Sequence, residues 1–181
     1  MGTTSQLRVV LTGGPGAGKT AVLEGLQQRG YPVVNEVARK VIAERKARGL
    51  SPRPAPRAFA ETILEQDLRN YASAAESDAE VVFFDRSLLD ALGGLAQLGA
   101  LSDARRLQLL RDYPYHDPVF LFPPWPEIYR TDSERDQSLA ESVRVYHSIK
   151  DWYSACGYTL DEVPQGTIDE RCDNLLAKLG V

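Results

Sequence analysis

Short apolar runs alternate with longer amphipathic stretches along the chain, and that alternation predicts five strands separated by helices. Leu7–Leu11 reads as the first strand, ended at once by a glycine cluster. Val22, Leu23 and Leu26 then recur at helical spacing, with Gly30 as the stop. Tyr31–Val34 is the second strand, followed by a helical stretch through Val37, Val41 and Ile42. Pro52, Pro54 and Pro56 mark a surface loop at 49–57, before a helix carrying Phe59, Ile63, Leu64, Leu68 and Tyr71. Val81–Phe84 is the most continuously apolar strand, with Asp85 directly after it. Helices are predicted over about 88–98 and 103–111, and a fourth strand over Val119–Phe122. Thr131-Asp132-Ser133-Glu134 has the form of a capping box, which predicts a helix from there to about Ala155. Tyr158–Val163 is the fifth strand and Ile168–Leu179 the last helix. Short buried strands alternating with helices predict an α/β fold, a parallel sheet covered on both faces.

A length of 181 residues with 43% hydrophobic residues fits one such domain, with little room for a second. A formal net charge of -4 argues against broad nucleic-acid binding, though not against one anion held in a local pocket. No apolar run is long enough for a membrane span, and the N-terminal stretch reaches Gly13 before a signal-peptide core could form. Two cysteines, Cys156 and Cys172, fall short of a disulfide framework or a metal cage. The expectation is a cytoplasmic protein.

The chemistry is concentrated after the first strand. Gly13-Gly14-Pro15-Gly16-Ala17-Gly18-Lys19-Thr20 matches G-x-x-x-x-G-K-[ST] in full, between a strand and a helix as the motif requires. Gly14, Pro15, Gly16, Ala17 and Gly18 make up the nucleotide-binding loop, whose glycines would let the backbone curl so that its N–H groups point at phosphate oxygens at a helix N-terminus. Lys19 would reach the β- and γ-phosphates, and the Thr20 hydroxyl would ligate Mg²⁺. A plain strand-to-helix turn would need neither the Lys-Thr pair nor so many glycines. The sequence lacks the N-K-x-D tetrapeptide of Ras-type GTPases, and Pro164 stands where small P-loop kinases pack a residue on adenine. ATP is therefore the expected nucleotide.

Val81–Asp85 has the form of a Walker B strand, whose carboxylate sits beside the phosphate loop and holds Mg²⁺. Asp85-Arg86-Ser87 is similar to the D/E-R-[SY] triplet of nucleoside and nucleotide kinases, in which the arginine meets substrate or phosphate. Glu36, after the second strand, is placed to take a proton from a substrate hydroxyl, and Arg39 lies one helical turn on. Asp90 and Gln66 either line the same acceptor pocket or serve a helix start and a core face. Arg135, ahead of Arg130 and Arg144, is the candidate for closing positive charge over the γ-phosphate. His116 and His147 lie too far from any Cys or His pair to point to zinc, and Trp125 is either a loop-packing or a base-stacking residue.

Together LTGGPGAGKT (11–20), NEVARKVI (35–42), FFDRSLLDAL (83–92), PVFLFPPWPEIY (118–129), DSER (132–135) and GYTLDEVP (157–164) carry a family resemblance. The chain resembles the small P-loop ATPase/kinase domains grouped with the NadR nicotinamide-riboside kinase domain and the TRPL-translocation-defect protein. The resemblance implies a five-stranded parallel sheet in the order 2-3-1-4-5, with helices on both faces in a three-layer P-loop fold. It implies nucleotide and metal contacts at Lys19 and Thr20, Asp85 near Mg²⁺, Glu36 and Arg39 on the acceptor side, and Arg135 as a lid arginine. An acceptor cap is expected over about 43–71 and a lid over about 123–138. The leading expectation is an ATP- and Mg²⁺-dependent phosphotransferase acting on a small, possibly nucleoside-like acceptor. The catalytic set is Lys19, Glu36, Asp85, Arg86 and Arg135, and Glu36, Arg39, Gln66, Arg86 and Asp90 form the acceptor side. The alternative is a nucleotide-dependent switch or regulatory ATPase/GTPase without an acceptor. The stretch after the fifth strand is short for the helical lid of an AAA+ ring motor.

Overall fold

The computed structural model describes residues 6–128 and 138–181. Their strands form a single parallel sheet: β1 (Leu7–Gly13), β2 (Val33–Val34), β3 (Val81–Asp85), β4 (Val119–Phe122) and β5 (Leu160–Glu162). The order across it is β2-β3-β1-β4-β5, as the family resemblance implies. β1 pairs with β3 from Leu7↔Val81 to Leu11↔Asp85, and with β4 from Leu11↔Phe120 to Gly13↔Phe122. Seven helices are described: α1 (Lys19–Gln28), α2 (Val37–Ala47), α3 (Pro56–Ala75), α4 (Leu88–Gln97), α5 (Asp103–Asp112), α6 (Leu139–Ala155) and α7 (Ile168–Leu179).

The chain divides into two compact units. The first comprises Met1–Val33, Ala79–Asp85 and Tyr115–Val181, and so holds nearly all of the sheet with α1, α6 and α7. Its central strands β3 and β4 are apolar almost throughout because a parallel strand inside the sheet is covered on both faces, whereas the edge strand β5 carries Asp161 and Glu162. Val9, Leu11, Phe83, Phe120 and Phe122 are completely buried, and Val22, Leu26, Cys172 and Leu175 close over them from α1 and α7. Outside that contact Arg29 of α1 reaches Asp169 and Asp173 of α7 at 2.8 and 2.6 Å.

The second unit comprises Val34–Asp78 and Arg86–Pro114, with α2, α3, α4 and α5. α3 packs along α4, and Ala60 faces Gly94 where the two approach. Arg105 of α5 makes a two-pronged ion pair with Glu61 of α3 at 2.9 and 2.8 Å. That pairing draws the Glu61 carboxyl below its ordinary pKa. Tyr71 donates its hydroxyl to the Pro114 carbonyl at 2.6 Å and stacks edge-on against Tyr113.

β5 is confined to Leu160–Glu162 where Tyr158–Val163 is predicted, β1 runs on to Gly13, and three further boundaries differ for local reasons. β2 begins only at Val33, because Pro32 has no N–H to give; its carbonyl instead accepts from Phe83 N–H at 2.9 Å. α3 begins at Pro56, inside the predicted proline loop, since proline is well suited to the first helical position. The capping box predicted at Thr131–Glu134 lies outside the described residues. α6 starts at Leu139, where Ser138 and Glu141 cap each other's backbone N–H groups.

Phe83 is fully buried in the middle of β3 and meets the Tyr31 ring edge-on at a centroid distance of 5.6 Å. Phe83→Ala should lower the unfolding free energy by about 3–5 kcal/mol in urea melts, through lost burial and the cavity left behind.

Candidate nucleotide and acceptor sites

The turn from β1 into α1 is held by backbone geometry that the glycines permit. Gly18 sits in the left-handed region at φ 80 as the N-cap of α1. A Cβ there would lie 2.7 Å from the Arg171 guanidinium and 3.0 Å from Ile128 Cδ1. A Cβ on Gly14 would meet the Ser142 carbonyl and hydroxyl, each at 2.7 Å. Gly14 is demanded by what stands behind the loop, and Gly18 both by that and by its own left-handed backbone.

Lys19 is buried, and its ammonium donates to the Gly13 and Gly14 carbonyls, both at 3.1 Å. Thr20 follows it, exposed in the first turn of α1. Asp85 ends β3, in register with Leu11 of the strand that feeds the loop. Thr20 and Asp85 supply hard oxygen donors of the kind Mg²⁺ takes when its remaining ligands are phosphate and water. Among the described residues no group of three His, Cys, Asp or Glu forms a closed metal cage. Pro164 is exposed after β5.

Two further side chains, not anticipated from sequence, reach the outside of the loop. Ser142 of α6 donates its hydroxyl to the Pro15 carbonyl at 2.6 Å. Arg171 of α7 donates Nη2–H to the Ala17 carbonyl at 3.1 Å. Arg171 is 4% exposed, with its guanidinium carbon 4.7 Å from the Phe122 ring centroid and 5.4 Å from that of Trp125. Trp125 thus packs on a guanidinium. Among the described residues no carboxylate pairs with Arg171, and burial pushes its pKa down.

The predicted acceptor residues gather in the second unit. Glu36 is the N-cap of α2 and pairs with Arg39 at 2.9 Å and with Arg86 Nε at 3.3 Å. Arg86 has φ 67, an uncommon conformation for a side chain with a Cβ, directly after β3. Its Nη1 meets Asp90 at 3.1 Å. Asp90 also accepts from the Ser87 N–H at 3.0 Å, completing the capping box of α4, so it holds a helix start and an arginine together. Gln66 donates to Asn70 at 3.0 Å along α3. Its neighbour Asp67, which stands in no motif, belongs with the carboxylates. Burial, then the nearby Asp90 and Glu36 charges, push its carboxyl up to about 8. Arg130 and Arg135 lie outside the described residues. Arg144 is described, exposed on α6 and 3.9 Å from Glu141.

A family model for an AAA domain matches residues 8–171. No curated protein sequence matches the chain. Among solved structures, a deoxyadenosine kinase from M. mycoides with products dCMP and dCDP bound superposes with a TM-score of 0.68 at 14% identity, covering 96% of this chain and 99% of that one. The NadR protein in complex with NR gives 0.69 at 18% identity; the match covers 97% of this chain and 52% of NadR, so this chain spans about half that protein's length. The YorR protein of Bacillus subtilis, in complex with phosphorylated GDP, gives 0.62 at 12% identity over 96% of this chain and 95% of that one. At these identities the likeness is one of fold, and it agrees with the strand order.

A carboxyl raised in the folded state is destabilising once it must ionise. Stability contributed by neutral Asp67 is fully present below the unfolded pKa and declines as pH rises toward about 8. Asp67→Asn should therefore gain stability over the unaltered chain as pH climbs from about 4. The difference should reach about 5 kcal/mol near pH 9, read from thermal melts across that range.

Proposed function

The chain belongs to a family of AAA domains, and on that footing we propose that it is an ATP- and Mg²⁺-dependent phosphotransferase with a small, nucleoside-like hydroxylated acceptor. The observation that carries this reading is the ion-pair cluster of Glu36, Arg86, Asp90 and Arg39. It begins one peptide bond after Asp85. A carboxylate with two guanidinium groups beside it suits a second, hydroxylated substrate, and a protein that only hydrolyses its nucleotide does not need one. The solved neighbours support the acceptor class. One is a deoxyadenosine kinase with nucleotide products, and another is NadR with NR.

In the proposed reaction the loop amides and Lys19 bind the triphosphate, and Pro164 lies against the adenine. Thr20 and Asp85 would hold Mg²⁺, whose chemistry is to neutralise charge on the β- and γ-phosphate oxygens. Glu36 orients the acceptor hydroxyl and takes its proton. The acceptor oxygen forms a bond to the γ-phosphorus while the bond to the β,γ-bridging oxygen breaks, and ADP leaves. Arg86 and Arg39 flank the acceptor, with Gln66 and Asp90 along the same side. Arg135, outside the described residues, would supply positive charge to the transferring group as charge spreads on its oxygens. The setting is the cytoplasm. Among the described residues no helix is long and apolar enough to cross a membrane, and both cysteines are free thiols.

The test is incubation with MgATP and pooled nucleosides, sugars and aminoglycosides. Mass gain of one phosphoryl group is followed alongside ADP release, with Lys19→Ala as the blank. A phosphorylated product is expected. ADP without any product would replace this reading with a hydrolysing switch. Glu36→Ala should cut transfer by about a hundredfold or more while MgATP binding persists, measured by single-turnover kinetics and calorimetry side by side.

A further inference from the structure

A trans peptide is planar, so the carbonyl of one residue and the N–H of the next point in opposite directions. Whatever fixes a carbonyl on the outside of the phosphate loop therefore fixes the following N–H toward the inside. Two of the loop's outward carbonyls are gripped by side chains from helices far along the sequence. The Ser142 hydroxyl holds Pro15 C=O at 2.6 Å, which directs the Gly16 N–H. The Arg171 guanidinium holds Ala17 C=O at 3.1 Å, which directs the Gly18 N–H. Arg171 cannot swing away easily, since it is almost fully buried beside Phe122 and Trp125.

We propose that Ser142 and Arg171 are positioning residues for the phosphate loop, which set its Gly16 and Gly18 amides for a nucleotide phosphate before it arrives. Arg171 does more than align. A charged donor on the carbonyl polarises the whole peptide, which makes the Gly18 N–H a stronger donor to an anion. Its charge is buried, and no carboxylate among the described residues balances it. Burial disfavours the guanidinium charge in the protein alone, and a polyphosphate bound nearby would offset that.

The inference rests on the nucleotide reading of the loop, and on no particular acceptor. MgATP affinity is measured by titration calorimetry for the unaltered chain, Arg171→Met, Arg171→Lys and Ser142→Ala, and nucleotide-free melting temperatures are recorded for each. Arg171→Met should bind MgATP about tenfold more weakly or worse, because a charge-assisted hydrogen bond is lost. Its melting temperature should hold or rise. Arg171→Lys, which keeps the charge and one donor, should recover part of the affinity, and Ser142→Ala should lose about threefold. Affinity within twofold of the unaltered chain for both Arg171→Met and Ser142→Ala overturns the proposal. So does an Arg171→Met loss of affinity matched by a lower melting temperature, which would mark a packing residue. Should Arg171→Met not fold, Arg171→Lys and Ser142→Ala decide by the same affinity criterion. Failure of the unaltered chain to bind MgATP would remove the nucleotide reading itself, and this proposal with it.

Discussion

A backbone amide cannot face an anion without turning a carbonyl elsewhere, and much of the structure around β1 follows from where those carbonyls go. Lys19 takes the Gly13 and Gly14 carbonyls, Ser142 takes Pro15 and Arg171 takes Ala17. The donors come from α1, α6 and α7, so the loop's shape depends on the helices being docked on the sheet. Close packing at Gly14 and Gly18 is the steric side of the same arrangement. The fully buried β4 phenylalanines anchor it, because the Phe122 ring that fills the core also supports the Arg171 guanidinium.

The second unit solves a different problem, that of holding like charges together. Glu36, Asp67 and Asp90 interact, and Arg86 pairs with the first and last of them. The helix caps share in this work. Asp90 satisfies the N–H of Ser87 while it pairs with Arg86, and Glu36 stands at the head of α2. Arg86 keeps a left-handed backbone within these contacts, a conformation that persists only when its surroundings fix it.

Elements whose signal is local were legible in the sequence. Val81–Phe84 and Val119–Phe122 are continuous apolar runs, and a buried parallel strand gives that pattern. The Gly-rich loop declares itself because its chemistry needs fixed residues at fixed spacing. Ser142 and Arg171 carried no such signal, since each acts on a carbonyl more than a hundred residues away and either type is ordinary on a helix surface. Asp67 was hidden for a related reason: its departure from an ordinary aspartate comes from burial and two distant carboxylates. Thr131–Glu134 and Ser138–Glu141 both have the Ser/Thr-x-x-Glu form, and local pattern does not rank them as the start of α6.

Asp67 also changes what the chain is at neutral pH. A carboxyl that titrates near 8 is mostly protonated there, so it behaves as a neutral group able both to donate and to accept a hydrogen bond. The formal net charge of -4 counts it as an anion. As pH rises through about 8 this position then turns from a neutral, amide-like group into an anion, with no other change in covalent structure.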